Sequence, residues 1–405
     1  MQGEAAGTGT SLEGLRMAVV GGGIGGLSAG IALMRRGARV RVFERAPEIA
    51  EVGAGIQISP NGHAVLAALG LGDEFARVSV RGERVRLING MNGREVFRLD
   101  LARLAPLQRY SFIHRADMIA LLERAFRALG GEIETGQDVV QVIARPDALP
   151  RLRTAGGREE EADVVIGADG LHSRLRAGLN GAEKPFFTRQ VAWRALVPME
   201  SPPPAEARVF MGAGRHLVAY PLRDGRMMNV VAVEERNAWA AEGWEAPDDP
   251  ENLRRAFSGF LPEVRRLLAR VEDVHLWGLF RHPVAAHWHR GRVAILGDAA
   301  HPTLPFLAQG ANMALEDAWV LADCLSEAPD EPETALAAYQ ERRRDRVVRV
   351  IEAANSNARN YHMRAGPARF VAHGALRLGS RIAPGLALRQ FDWLYGHDVT
   401  ARPGP

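Results

Sequence analysis

The sequence predicts an α/β fold: a Rossmann-like domain, an inserted β-sheet domain and a C-terminal helical segment. Three observations predict it. An apolar run at Met17–Val20 leads into a glycine cluster and then a helical pattern. Two further buried-strand patterns, Ala162–Ala168 and Arg292–Leu296, are each followed within two residues by an acid. Between residues 184 and 284 helical periodicity fades and strand-like stretches replace it. A chain of 405 residues has room for two or three domains of about 100–200 residues each.

Met17–Val20 reads as a buried parallel strand and Leu27–Arg36 as a helix ending near Gly37. Between them Gly21, Gly23 and Gly26 fit GxGxxG: the first permits a tight turn, the second lets a pyrophosphate approach, and the third packs helix on strand. Ala38–Phe43 is the second strand. It ends at Glu44, 18 residues after Gly26, where a carboxylate accepts hydrogen bonds from ribose hydroxyls and disfavours a 2′-phosphate. The unit therefore suits the adenosine diphosphate of FAD or NAD, and does not choose between them. Met17 to Met34 is 18 residues without a charge, long enough for a membrane span, but its six glycines argue for strand, turn and helix instead.

The two later strands close with Asp169-Gly170 and with Gly297-Asp298, placing acids where open α/β sheets bind ligands. In the middle region Val191–Val197, His216–Leu222 and Met227–Glu234 read as strands, with Pro202–Pro204 and Asp248–Pro250 as loops. His216, Val218 and Tyr220 then share one strand face, because side chains alternate with period two. An imidazole that titrates near neutrality and a phenol on one face form a candidate acid–base pair.

Composition excludes several functions. Lys+Arg 51 against Asp+Glu 48 leaves +3, too balanced to mark a nucleic-acid partner. The basic run Arg342-Arg343-Arg344-Asp345-Arg346 falls in a helical pattern from 334 to 360 and reads as a solvated face. Cys324 is the only cysteine, so an intramolecular disulfide, a four-cysteine zinc site and dithiol redox chemistry are ruled out. No HExxH or similar metal-ligand spacing is present. Glu4 and Glu13 interrupt the N-terminus and no leader-like cleavage pattern follows, which leads us to expect a cytoplasmic protein without a membrane partner.

In order, GxGxxG, GADGxxSxxR and GDAAHPxxPxxxQGxNxxxED resemble the single-component FAD-dependent aromatic monooxygenases, a family that includes salicylate, 3-hydroxybenzoate and 6-hydroxynicotinate hydroxylases. The resemblance spans about residues 15 to 350 and implies bound FAD, with NADH or NADPH as a transient co-substrate. It further implies O2-dependent hydroxylation of a small phenolic or heteroaromatic acid through a flavin C4a-hydroperoxide. The alternatives are a larger polyketide, quinone or antibiotic-like substrate on the same scaffold, or a non-catalytic flavin-binding module. A disulfide reductase would need two cysteines and usually a second fingerprint.

Residue by residue, the resemblance assigns Gly21, Gly23, Gly26, Glu44 and Arg45 to the FAD adenosine side and Arg115 to the pyrophosphate. It assigns Asp169 and Gly170 to both FAD and the nicotinamide donor, and Asp298 to the ribityl chain. Backbone N–H groups of Gly310, Ala311 and Asn312 would face the flavin pyrimidine edge. His216 and Tyr220 match a phenol-activating pair, Pro305 matches a proline at the reactive flavin edge, and Phe306 narrows the substrate pocket. Arg194 and Arg223 are candidate partners for a substrate carboxylate. His301 and Pro302 shape a loop; His63, His282, His287 and His289 are surface or packing residues. The implied organisation is an FAD-binding domain of residues 15–76, 112–183 and 285–330, a substrate-binding sheet domain of 77–111 and 184–284, and C-terminal helices over 331–405. The apolar tail carries Phe370, Val371, Leu376, Ile382, Leu386 and Leu388. A monomer or homodimer is expected.

Overall fold

A computed structural model describes residues 12–49, 54–145, 148–237, 246–362 and 384–401. Its first sheet has six strands. From one edge they are His289–Arg290, Val293–Ile295, Val164–Gly167, Arg16–Val20, Arg39–Phe43 and Glu132–Glu134, all parallel except the first. Val164–Gly167 and Val293–Ile295 are buried throughout, as strands covered on both faces must be. Helix Ile24–Met34 carries Leu27, Ile31 and Leu33 into this core, beside helix Gly310–Glu327.

The second sheet has eight strands: Ala246–Asp248, Val274–Arg281, Phe186–Pro198, Met227–Glu235, Arg215–Leu222, Glu206–Gly212, Arg84–Asn89 and Glu95–Asp100. All neighbours are antiparallel except Glu206–Gly212 with Arg84–Asn89. The fold is thus α/β with a large antiparallel sheet beside a parallel one. Strand parity divides the second sheet's faces. Trp193, Ala195, Leu217, Ala219, Val230 and Ala232 pack with Leu253, Phe257 and Leu268 of helices Pro250–Ala256 and Pro262–Ala269 and the turn between them. Ala192, Val231, Val233, Trp277 and Leu279 face the other way, against Leu304 and Phe306. Asp248-Asp249-Pro250, expected as a loop, instead ends a strand and starts a helix. Asp249 accepts from Glu251 N–H as its N-cap and Pro250 sits in the first turn, where its missing N–H costs nothing.

Helix Pro332–Tyr361 agrees with a solvated face for Arg342, Arg344 and Asp345, which are exposed, and corrects that reading for Arg343 and Arg346. Arg343 is fully buried and Arg346 nearly so. Arg343 pairs with Glu316 and with Asp317, each at 2.7 Å, and Arg346 pairs with Glu316 at 2.7 Å. His301 Nε2 lies 2.5 Å from Asp317, whose second interaction at that oxygen is the Gly297 N–H at 3.0 Å. Burial by itself raises the Asp317 carboxyl; His301 and Arg343 overcome it and hold it at about 2. The run therefore clamps the C-terminal helix to Gly310–Glu327. Helices Pro384–Arg389 and Asp392–Tyr395 continue beyond it, with Leu394 and Tyr395 in the core. Phe370, Val371, Leu376 and Ile382 lie outside the described residues, as does the side chain of Leu386. Among the described residues, no helix is long and apolar enough to cross a membrane.

Candidate active site

A cleft opens where the two sheets meet, at the carboxyl ends of the parallel strands. Its outer, polar arm has a volume of about 390 Å³ and its inner chamber about 290 Å³.

The glycine turn forms one end of the polar arm, and its three glycines differ in what they face. Gly21 has φ +109, and a Cβ there would lie 2.3 Å from the Ala168 carbonyl oxygen; at Gly26 a Cβ would lie 2.0 Å from the Gly21 oxygen. A Cβ on Gly23 would meet nothing within 4 Å. The first and third glycines are thus demanded by the fold, whereas the second borders open space at the start of helix Ile24–Met34. Glu44 closes the adjoining strand. It accepts from Gly22 N–H at 2.7 Å and Ala46 N–H at 2.9 Å, which fixes the carboxylate on the wall of the arm beside Arg45.

Further along, Asp169 accepts from Arg174 N–H at 2.8 Å through Oδ2, beside the Ser173 N-cap of helix Arg174–Asn180, while its Oδ1 is buried without a partner among the described residues. Burial raises the Asp169 carboxyl despite these bonds. Gly170 follows with φ +75. Asp298 is exposed, but to the cleft. Burial among protein atoms raises its carboxyl, with His301 and Arg115 opposing. Arg115 begins helix Arg115–Ala128 and lines both arms. Gly310 and Ala311 line the inner chamber at the start of helix Gly310–Glu327, whose Gln309 N-cap makes no side-chain cap. The Asn312 side chain points elsewhere: its oxygen accepts from Ser59 N–H at 3.0 Å and its amide donates to Ala308 and Gln57 carbonyls. Its backbone N–H is what remains for a ligand.

Sheet register arranges the chamber's far wall. His216 lies opposite Val233, which is opposite Ala192; Val218 lies opposite Val231, which is opposite Arg194. Tyr220 lies opposite Asn229, which is opposite Leu196. At about 3.3 Å per residue, His216 and Tyr220 are about 13 Å apart along the strand, with Arg194 about 10 Å to the side of their midpoint, two strands away. Tyr220 therefore does not relay a proton directly to His216. It contacts the Gln57 side chain, packs tilted by 34° against Phe112 with ring centres 5.1 Å apart, and approaches Gly55 so closely that a Cβ there would lie 2.6 Å from its ring. Burial raises its hydroxyl pKa.

Arg194 sits over Trp277 with its guanidinium 4.2 Å from the ring centre, and no acidic partner meets it among the described residues. Burial lowers its pKa to about 10, with the Arg115 charge adding to the effect. Arg223, the other carboxylate candidate, is corrected: it occupies a left-handed turn (φ +49) and forms a two-pronged pair with Asp117 at 2.9 and 3.0 Å, away from the chamber.

His216 is 2% exposed. Its Nδ1 lies 2.7 Å from His362 Nε2, and His362 Nδ1 lies 2.8 Å from Glu235. Burial holds the His216 pKa well down, and the neighbouring His362 adds to this. Pro305 lines the chamber in a short 3₁₀ turn that ends on Ala308 at φ +53. Phe306 departs from expectation: its ring backs His216 at 5.4 Å instead of lining the chamber. His63 is half-buried against Phe75 and Ser111, and His301 is part of the Asp317 clamp. Sequence reading missed Gln57, Trp277, His362 and Glu235. Gln57 and Trp277 had a usable signal in strand parity; His362, at the end of a helix 146 residues from its partner, had none.

Three comparisons bear on this geometry. The family model described as "FAD binding domain" matches residues 15–354. The chain is 35% identical to a 3-amino-4-hydroxybenzoate 2-monooxygenase of Streptomyces platensis, over 95% of this chain and 96% of that one. It is 33% identical to 3-hydroxybenzoate 6-hydroxylase 1 of Aquipseudomonas alcaligenes, over 95% and 98%. Among solved structures, Klebsiella pneumoniae HpxO complexed with FAD and uric acid superposes with a TM-score of 0.81 at 28% identity, covering 92% of this chain and 95% of that one.

Proposed function

Since the chain belongs to the FAD binding domain family and is a flavoprotein monooxygenase, we propose that it hydroxylates a small phenolic or heteroaromatic acid, using NAD(P)H and O2. The observation that carries this reading is His216, a buried imidazole on an apolar chamber wall with its Nε2 left to the chamber.

FAD fits the cleft on this chain's own features: the space before Gly23, the carboxylates of Glu44 and Asp298 turned to the cleft, and the uncapped start of helix Gly310–Glu327. Gly21, Gly23, Gly26, Glu44 and Arg45 would hold the adenosine side, with Arg115, Asp169 and Gly170 toward the pyrophosphate and Asp298 at the ribityl chain. The N–H groups of Gly310, Ala311 and Asn312 would meet the pyrimidine edge, favouring negative charge there. Bound in this way, the flavin supplies the redox chemistry of hydride uptake and O2 activation.

The chain's residues do the rest. His216, kept neutral by burial, accepts the phenolic proton, which raises electron density at the ring carbon to be hydroxylated. Arg194 offers the carboxylate a cation in a site that otherwise gives this cation no acid. Tyr220 orients the ring from the far end of the strand. Pro305, Val218 and Trp277 keep the chamber apolar and exclude water. About 290 Å³, shared with the flavin ring, suits a single aromatic ring better than a polyketide.

The test is aerobic NADH and NADPH oxidation by the yellow protein with hydroxybenzoates, aminohydroxybenzoates and hydroxynicotinates, scoring hydroxylated product against peroxide. Substrate-stimulated, product-coupled turnover supports the reading; peroxide alone from every acid overturns it.

A further inference from the structure

His216 cannot keep the proton it takes. Its ring is buried, a second imidazole lies beside it, and both conditions disfavour the charged form. Among the described residues the surroundings supply no anion directly: the Phe306 and Tyr361 rings lie at 5.4 and 5.3 Å, and the charged group reached is Glu235, through His362. The neighbouring charges are already committed, since Arg215 and Arg236 both pair with Glu234. Glu235 is half exposed, whereas His362 is 6% exposed. The three groups thus make one hydrogen-bonded line from chamber to solvent, drawn from two neighbouring strands and the C-terminal end of helix Pro332–Tyr361.

We propose that His362 and Glu235 form a proton exit for His216: they fix its tautomer and carry the substrate's proton to solvent. The inference rests on the proposed hydroxylase reading. Glu235 accepts from His362 Nδ1–H, which leaves His362 Nε2 as an acceptor. That nitrogen accepts from His216 Nδ1–H, and so the lone pair of His216 falls on Nε2, toward the chamber. When the phenol O–H bond breaks, its proton bonds to His216 Nε2. The Nδ1 proton of His216 moves to His362 Nε2, the Nδ1 proton of His362 moves to Glu235, and Glu235 releases it to water. One proton enters, one leaves, and no electron pair leaves the substrate. His362 is a positioning residue, since it acts only through His216.

The experiment uses FAD-loaded protein labelled with ¹⁵N-histidine. Long-range proton–nitrogen correlation spectra read each tautomer without substrate. The expected result is Nδ1–H on both His216 and His362. His362→Gln keeps an acceptor for His216 and should preserve its tautomer, yet slow hydroxylation by about 10-fold or more below neutral pH, as loss of a proton-transfer step does. That deficit should shrink as pH rises and phenolate forms in solution. Glu235→Leu, which removes the acceptor, should shift the tautomer of His362. His216 protonated on Nε2 in the wild type, or a His362→Gln variant with an unchanged pH–rate profile, overturns the proposal. Absence of product from the wild type across the acid panel would count against the hydroxylase reading alone, and the tautomers would still decide this one.

Discussion

Two polar clusters differ in whether their charges are paired within the protein. In the clamp, Glu316 and Asp317 are ion-paired with Arg343 and Arg346, His301 bonds Asp317, and Asn61 adds a bond to Glu316 at 2.7 Å, although His301 Nδ1 and Arg343 Nη2 make no hydrogen bond among the described residues. Along the chamber wall, Arg194 meets no acid among the described residues, His216 lines the chamber with its Nδ1 bonded to His362, and Asp298 lines the cleft. The closed cluster holds the C-terminal helix in place. The open one carries unmet electrostatic demand that a ligand can satisfy, and burial magnifies that demand.

This contrast breaks most sharply at Arg343. Arg343→Met leaves Glu316 and Asp317 short of a cation in the interior and should lower stability by about 3–5 kcal/mol, measured by urea unfolding. The equivalent loss in the open cluster should spare the fold. His216→Gln is expected to reduce product formation by about 10²–10⁴-fold while the urea midpoint and FAD binding stay near wild type. A large shift in that midpoint would mean that His216 is structural.

Arg194→Met sharpens the comparison further. An unpaired buried cation contributes little to folding, so stability should hold or improve. The KM for carboxylate-bearing substrates should rise by about 10–100-fold, and that for the matching phenol without a carboxylate should barely move. The smallest expected effect is that of pH on the clamp. The Asp317 carboxyl sits at about 2 in the folded chain, below the unfolded value of about 3.9. Its contribution is therefore complete above about pH 4 and is lost as pH falls toward 2. Acid titration of the wild type should show this loss, and Arg343→Met should flatten it.

How legible each part was in the sequence follows from how local its cause is. Gly26 is required by a contact within its own turn and Gly21 by its φ of +109, and the spacing announced both, although Gly21 also abuts Ala168 of a distant strand. Strand parity put His216 and Tyr220 on one face, and the register then added Arg194 to the same wall. The arginine run misled because its charges suggested solvent. Its periodicity told otherwise: Leu336, Tyr339, Arg343, Val347 and Val350 recur at helical spacing and all are buried, with an arginine standing where the stripe calls for an apolar residue. The acids that make this tolerable, Glu316 and Asp317, close the last glycine-rich motif, to which cofactor binding alone had been attached. His362 was invisible because its meaning depends entirely on where a 30-residue helix ends.

The two-faced construction of the large sheet has a consequence for altering what the chain accepts. Positions 194, 218, 231 and 233 look into the chamber, while their immediate neighbours 193, 195, 217, 219, 230 and 232 look into the helical layer. A mutational library confined to the first set searches substrate preference with little disturbance of the packed core. The same number of changes spread over consecutive residues would spend half its members on damaged folds. A single-residue insertion upstream of Arg215 that shifted register would swap the two faces of strand Arg215–Leu222 and turn His216 and Tyr220 away from the chamber, which makes chain length, as much as residue identity, a constraint on how this site diverges.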